Sequence, residues 1–252
     1  MNKLKQKHIG HWKEELQDKS KFTYEGNIFH DYFRRIPFTK LKRLLDKNNI
    51  NLTNKTILIA SCGKGTDIHY LEKSYNPRIY VSDIAENAVG TAIASFENIQ
   101  GSVGDTERLP FNDNTFDYSF IAASLHHLPR PILGLYELLR VAKEGVIVIE
   151  PNDSILTRIA TSLGFAHEIE EVGNYVFRFS KRDVIKIAKS LFYDGSVVRC
   201  FAIHKVAKTE LGFLILKGLN SIANTVCPFW GNYIIFIIRK VFNRHNCSFQ
   251  KK

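Results

Sequence analysis

Residues 57–67 read ILIASCGKGTD. An apolar run of strand length enters a turn of small residues, Ser61-Cys62-Gly63-Lys64-Gly65. Glycine there allows a sharp bend and lets a ligand approach the backbone closely. In an open α/β sheet, ligands bind beyond the carboxyl ends of the strands, so the turn after the first strand is a prime location. The turn lacks the G-x-x-x-x-G-K-[ST] spacing of a phosphate loop. Gly63 and Gly65 supply two glycines of a dinucleotide fingerprint, but Ile68 stands where the third belongs. Taken alone, the pair is equally a tight strand-to-helix turn.

Working outward, apolar strands alternate with helices. RIYVSD (78–83), IQGSVGD (99–105), FDYSFIAA (116–123) and VIVIE (146–150) read as strands. DIHYLEK (67–73) and AENAVGTAIASFEN (85–98) read as helices, as does PILGLYELLRVAKEG (131–145), opened by Pro131 and closed by Gly145. SKRDVIKIAKSL (180–191) is a further helix with Ser180 placed to cap it. SVVRCFAIHKV (196–206) and NYIIFIIRKV (232–241) are the last strands. Continuously apolar strands between helices imply a parallel sheet covered on both faces. Residues 1–50 read as an amphipathic helical extension and residues 51–252 as one domain. From Leu211 to Ile238 the chain is long and apolar, but Lys217, Asn220, Asn224, Pro228, Gly231 and Asn232 interrupt it. A membrane span needs about 20 mostly apolar residues without such breaks. The expectation is a short helix, a turn and a strand, packed as core.

Bulk properties narrow the class. The 252 residues are 44% hydrophobic and 24% charged, ordinary for a globular protein with a sizeable core. The net charge of +10 favours anionic partners such as phosphorylated substrates, nucleic acid or an acidic membrane surface. The cysteines Cys62, Cys200, Cys227 and Cys247 form no C-x-x-C pair, which argues against zinc-finger and iron–sulfur readings. The charged start MNKLKQKHIGHWKEELQDK lacks an apolar signal region, so reduced thiols and a cytoplasmic location are expected.

Two acids sharpen the reading of the turn. Asp83 closes the second strand and offers acceptors to the two hydroxyls of a ribose. Asp105, at the end of the third strand, could accept from an adenine amino group. Together they describe an adenosine site that needs no pyrophosphate.

With ILIASCGKGTD, YVSDIAENAV, GDTERLPFNDNTFDYSFIAASLHHLPRP and GVIVIEPND in this order, residues 55–153 resemble the class I S-adenosylmethionine-dependent methyltransferases, in the group that includes quinone- and sugar-modifying members. The resemblance implies a Rossmann-like α/β fold with a seven-stranded sheet, helices on both faces and the last strand antiparallel, 196–206 and 232–241 forming the final hairpin. It implies S-adenosyl-L-methionine as cofactor. Ser61, Cys62, Gly63 and Gly65 would line its methionine part, Asp83 and Ile84 its ribose and adenine, Asp105 and Thr106 the adenine edge, and Ala122 and Ala123 its amino group. Two positions depart from the family: Ile59 replaces an acidic residue, and Ser61 replaces the first glycine.

Displacement at a sulfonium methyl requires mainly alignment, and a base only where the acceptor must lose a proton. His126 and His127 follow the fourth strand and suit that role; packing or capping is the plainer reading. Tyr175 and Arg178, in HEIEEVGNYVFRF (167–179), could meet an anionic acceptor. His167, Glu168 and Glu171 have no recognised ligand spacing, and no metal is expected. In FTYEGNIFHDYFRR (22–35), Tyr24 and Arg35 would belong to a lid over the cleft. The expected acceptor is a small molecule, O-methylated and anionic, such as a phosphorylated sugar of cell-surface glycan assembly. Lipid or quinone methylation with peripheral membrane contact is an alternative, motivated by the apolar C-terminal stretch. RNA is a further one, disfavoured because AASLHHLP stands where amino-directed members carry an Asn/Asp-Pro-Pro-aromatic motif. A binding fold without catalysis rests only on Ile59 and Ser61.

Overall fold

The computed structural model describes residues 2–17, 28–170, 172–203 and 209–240, with side chains left undescribed over 11–31. Tyr24, Glu171 and Cys247 therefore lie outside the described residues.

The sheet forms from the predicted apolar runs: β1 (Thr56–Ala60), β2 (Arg78–Asp83), β3 (Gln100–Val103), β4 (Phe116–Ala122), β5 (Ala142–Pro151), β6 (Asp194–Cys200) and β7 (Tyr233–Arg239). Their order is β3-β2-β1-β4-β5-β7-β6. β1 to β5 are parallel; β7 runs antiparallel to both its neighbours, β5 and β6. The helices are α1 (Lys3–Gln17), α2 (Ile28–Lys47), α3 (Thr66–Tyr75), α4 (Glu86–Ser95), α5 (Pro131–Val141), α6 (Ile155–Ser162), α7 (Lys181–Ser190) and α8 (Glu210–Val226).

Central strands buried on both faces need apolar side chains in both directions, and the core divides accordingly. Leu41, Leu44 and Leu45 of α2 pack with Ile68 and Leu71 of α3 and Val89 of α4 on one face, against Ile57, Ile59 and Phe120. Leu135, Leu138 and Leu139 of α5 pack with Val184 and Ala188 of α7 on the other, against Leu58, Ile121 and Phe236. Half of the N-terminal extension is thus integral: α2 contributes buried side chains to the same core as the sheet. Ser180 caps α7 as expected, its hydroxyl accepting from Asp183 N while the Asp183 carboxylate accepts in return from Ser180 N.

Three expectations are corrected. α5 ends at Val141, and AKEG belongs to β5. Gly145 is therefore not a helix cap. It lets β7 approach: a Cβ there would lie 2.3 Å from the carbonyl oxygen of Ile238. The final strands are antiparallel neighbours but not a hairpin, because α8 and a 3-10 turn (Pro228–Trp230) lie between them. The apolar C-terminal stretch divides as well. Tyr233–Arg239 is core, whereas α8 buries only Asn220 fully and turns its leucines and isoleucines outward. Among the described residues no helix is long and apolar enough to cross a membrane.

Candidate active site

The turn after β1 is held from several sides. Ser61, Gly63 and Gly65 take left-handed backbone angles, with φ of 49°, 50° and 80°. The position at which the family prefers glycine thus keeps the conformation glycine favours, here imposed on a serine. The Ser61 hydroxyl lies 3.0 Å from that of Thr106, which ties the β1 turn to the loop after β3. Cys62 is buried against the core, and its thiol is pushed well above the ordinary range by burial and by the Asp83 and Asp67 charges, so it is not poised as a thiolate nucleophile.

Asp83 is almost completely buried. It accepts from Gly63 N (Oδ2, 2.9 Å) and Ala85 N (Oδ1, 2.9 Å), and so clamps the β1 turn to the start of α4. Burial raises its pKa despite these amides. Each carboxylate oxygen retains acceptor capacity beyond one amide. Asp105 accepts from Lys5 Nζ of α1, which also reaches Glu107 at 2.6 Å. Glu107 is buried and takes Arg130 as well, at 3.0 Å from Nη2. Burial works against its charge, but Lys5 and Arg130 hold its pKa below the usual carboxylate range. Ile84, Asp105 and Lys5 line a cavity of about 710 Å³ together with Glu107 and Arg130. The first helix therefore reaches the expected adenine end, which nothing in its sequence announced.

At the other end of the turn, Ala122 and Ala123 line a cavity of about 110 Å³ with Phe33, Phe38, Ile149 and Tyr233. Its charged members, Arg34 and Asp67, pair at 3.0 Å. Arg34 and Asp67 were not singled out from the sequence; position 34 faces the cavity, whereas Arg35 beside it is solvent-exposed, as consecutive helical residues point in directions about 100° apart.

The two histidines sit in a 3-10 turn, Leu125–His127, and line neither cavity. Glu150 organises the turn. It is fully buried; its Oε1 accepts from Ser124 N and Leu125 N (2.8 and 2.7 Å), and its Oε2 lies 2.6 Å from His126 Nδ1. Burial opposes a charge on His126, but Glu150 and Glu170 prevail and raise its pKa to about 9. His127 Nδ1 contacts Glu170 at 2.8 Å, and its ring stands edge-on to that of His8 of α1, centroids 5.2 Å apart. Both histidines hold the Glu170 pKa far below the usual range against the effect of burial. His126, His127 and Glu170 bring one possible metal ligand each to within 4.8 Å of one another, and these atoms already contact one another, Glu170 lying 3.5 Å from His126 Nε2 and 2.8 Å from His127 Nδ1. Glu150, Glu170 and Asn174 were not predicted; only the fold brings them to the histidine pair.

Tyr175 and Arg178 line a separate cavity of about 480 Å³ with Asp153, Arg158 and Glu168. Tyr175 is exposed, and Arg178 donates to the carbonyl of His167 at 2.6 Å.

An adenosyl sulfonium cofactor asks for acceptors at its ribose and adenine, a close backbone turn and negative charge near its cation. Asp83, Asp105 and the 61–65 turn fit the first two requirements; Asp67 lies near the third and is already paired with Arg34. The sheet order, with β7 antiparallel to its neighbours, is that of the Rossmann-like methyltransferase fold. Residues 58–149 match the methyltransferase domain family model. A demethylmenaquinone methyltransferase of Staphylococcus aureus is 33% identical over 113 residues, 43% of this chain and 46% of that one, so the match spans about half the relative's length. Among solved structures, an S-adenosylmethionine-dependent methyltransferase of Thermotoga maritima superposes with a TM-score of 0.61 at 15% identity, covering 93% of this chain and 99% of the other. A magnesium protoporphyrin IX methyltransferase of Synechocystis with bound S-adenosylhomocysteine reaches 0.56 at 15% identity, over 84% and 86% of the two chains. At such identities the structures share the fold.

Proposed function

We propose that this protein transfers a methyl group to an apolar acceptor of the quinone or lipid type. The observation that carries the reading is the apolar lining beside Ala122 and Ala123, a cavity of about 110 Å³ with room for only the reacting end of an acceptor next to the cofactor. Phe33, Pro37, Phe38, Ile149 and Ala202 dominate it, and its arginine is neutralised by Asp67. A phosphorylated sugar, the acceptor favoured from composition, would need cationic and hydrogen-bonding groups that this lining offers sparingly. The relatedness to a demethylmenaquinone methyltransferase supports the same choice.

S-adenosylmethionine supplies a methyl already activated on a sulfonium. The chain's task is to hold and align. The 61–65 turn and Asp83 would hold the ribose and methionine side, and Asp105 with Thr106 the adenine edge. Asp67, close to Ala122 and Ala123, would share its negative charge between Arg34 and the cofactor's amino group, at the end of the cleft where Ile59 offers none. α1 would cover the adenine end through Lys5, giving the N-terminal region the covering role expected of a lid. His126, protonated between Glu150 and Glu170, acts as a positioning residue that fixes the loop after β4. His127 is the remaining candidate base, and a carbon or thiol acceptor of low pKa would need none.

Labelled methyl transfer from S-adenosylmethionine, screened over demethylated quinones, lipids, phosphosugars and RNA, tests the reading. Transfer to a quinone or lipid, lost on filling the cavity with Ala202→Trp, is expected. Transfer to phosphosugar or RNA alone would overturn it.

A further inference from the structure

α8 is mounted in reverse. A surface helix normally turns its apolar stripe to the core. Here the inward edge is polar. Asn220 exchanges hydrogen bonds with the backbone of Ile203 (3.0 and 3.2 Å), and Asn224 does the same with Phe201 (2.9 and 2.8 Å). Phe213 completes that edge, its ring edge-on to Phe33 and Tyr32 of α2. The opposite edge carries Leu211, Leu214, Leu219, Ile222 and Val226, spaced by three to five residues and 57 to 71% exposed. The stripe continues across the turn Pro228–Trp230, which touches both α8 and α6 and exposes Phe229 and Trp230. α6 buries no side chain and presents Ile155, Ile159 and Leu163. Two helices and the turn between them thus form one apolar shelf, larger than an isolated exposed leucine requires and of the kind that marks an interaction surface.

Its position is informative. Pro151, Tyr233 and Cys200 are register partners at the end of the sheet where the strands open onto the site. α6 follows Pro151 by four residues, and α8 and its turn join Cys200 to Tyr233. Tyr233 and Ala202 line the acceptor cavity, and Phe33, on which α8 rests, lines it too.

We propose that this shelf seats the protein on an anionic lipid bilayer, α8 and α6 lying in the interface beside the mouth of the acceptor cavity. The net charge of +10 decides between occupants: two copies of this chain repel one another, whereas an anionic leaflet attracts each. Aromatic residues at the junction, Phe229 and Trp230, suit the headgroup level, and Leu and Ile the acyl boundary. The proposal takes its purpose from the apolar-acceptor reading above, but its test does not depend on that reading.

The experiment is flotation of the full chain with phosphatidylglycerol-containing vesicles and with phosphatidylcholine vesicles, alongside the triple variant Leu214→Glu, Leu219→Glu, Ile222→Glu. All three positions are exposed, so the variant should melt as the parent does and bind S-adenosylmethionine unchanged by calorimetry. Expected is flotation with the anionic vesicles, weakened by salt, and reduced about tenfold or more in the variant. A parent that stays in the bulk phase, or a variant that floats equally well, overturns the proposal. So does a parent that self-associates in sedimentation equilibrium without floating while the variant is monomeric, which would assign the shelf to a second copy. Flotation without methyl transfer to any quinone or lipid would leave the docking in place and remove the acceptor reading alone.

Discussion

His126 Nδ1 lies 2.6 Å from Glu150 Oε2, and the other oxygen of that carboxylate holds the amides of Ser124 and Leu125. One buried glutamate at the end of β5 thus fixes the whole loop that leaves β4. The imidazole is not a free base but the cation in a buried network.

That network predicts a pH dependence of stability. The folded pKa of His126, about 9, stands above its ordinary 6.5. The folded state therefore binds a proton that the unfolded chain releases. The stabilisation is complete below pH 6.5 and is lost as pH rises through 9, on the order of 3 kcal/mol. Thermal melts of the parent should fall across this window. Melts of Glu150→Gln, which removes the counter-charge, should start lower and decline less.

Asp83 is predicted to govern cofactor affinity. Asp83→Asn keeps one acceptor oxygen but loses the charge. Charge-assisted hydrogen bonds contribute about 1.5–3 kcal/mol, so S-adenosylmethionine affinity should drop about tenfold to a hundredfold in calorimetry. An affinity within about twofold of the parent would remove the adenosine assignment.

Lys5 links α1 to the rim through Asp105 and Glu107. Glu107 is depressed below its ordinary pKa of 4.5, so it stabilises the fold above that value and loses this as pH falls. Lys5→Ala should lower stability at pH 7 by about 1–3 kcal/mol, since a buried carboxylate loses a partner, and should flatten the acid limb of the stability profile. Denaturant unfolding between pH 3 and 7 measures both.

Gly145→Ala should be among the costly single substitutions. The added methyl would sit 2.3 Å from a backbone oxygen of β7, which cannot rotate away. Overpacking of this kind costs typically about 1–3 kcal/mol, read as a lowered melting temperature. Gly10→Ala, with nothing within 4 Å and a position inside α1, should be neutral or slightly stabilising.

The strands, the glycine turn and the acids at the strand ends were legible in the chain because their signals are local. Apolar runs fix β1, β2 and β4, Asp83 closes β2, and Asp105 stands two residues beyond β3. The partners of the histidines were not legible: Glu150 and Glu170 lie 24 and 44 positions from His126, and meet it only when β5 packs beside β4 and the loop after α6 folds back over the histidine turn. The same holds for Lys5 and Asp105, 100 positions apart. α5 and β5 were misdivided because a helix running straight into a strand leaves no loop to mark the change. α8 was legible as a helix but not in its orientation, since periodicity locates an apolar stripe without saying what it faces. Asn220 and Asn224, bonding the backbone beyond β6, decide that. The sequence by itself determined the order of the strands and the place of the glycine turn after β1, which depend on neighbours along the chain. Tertiary structure decided the charge state of the site and the direction of the apolar shelf, because both depend on groups that only packing brings together.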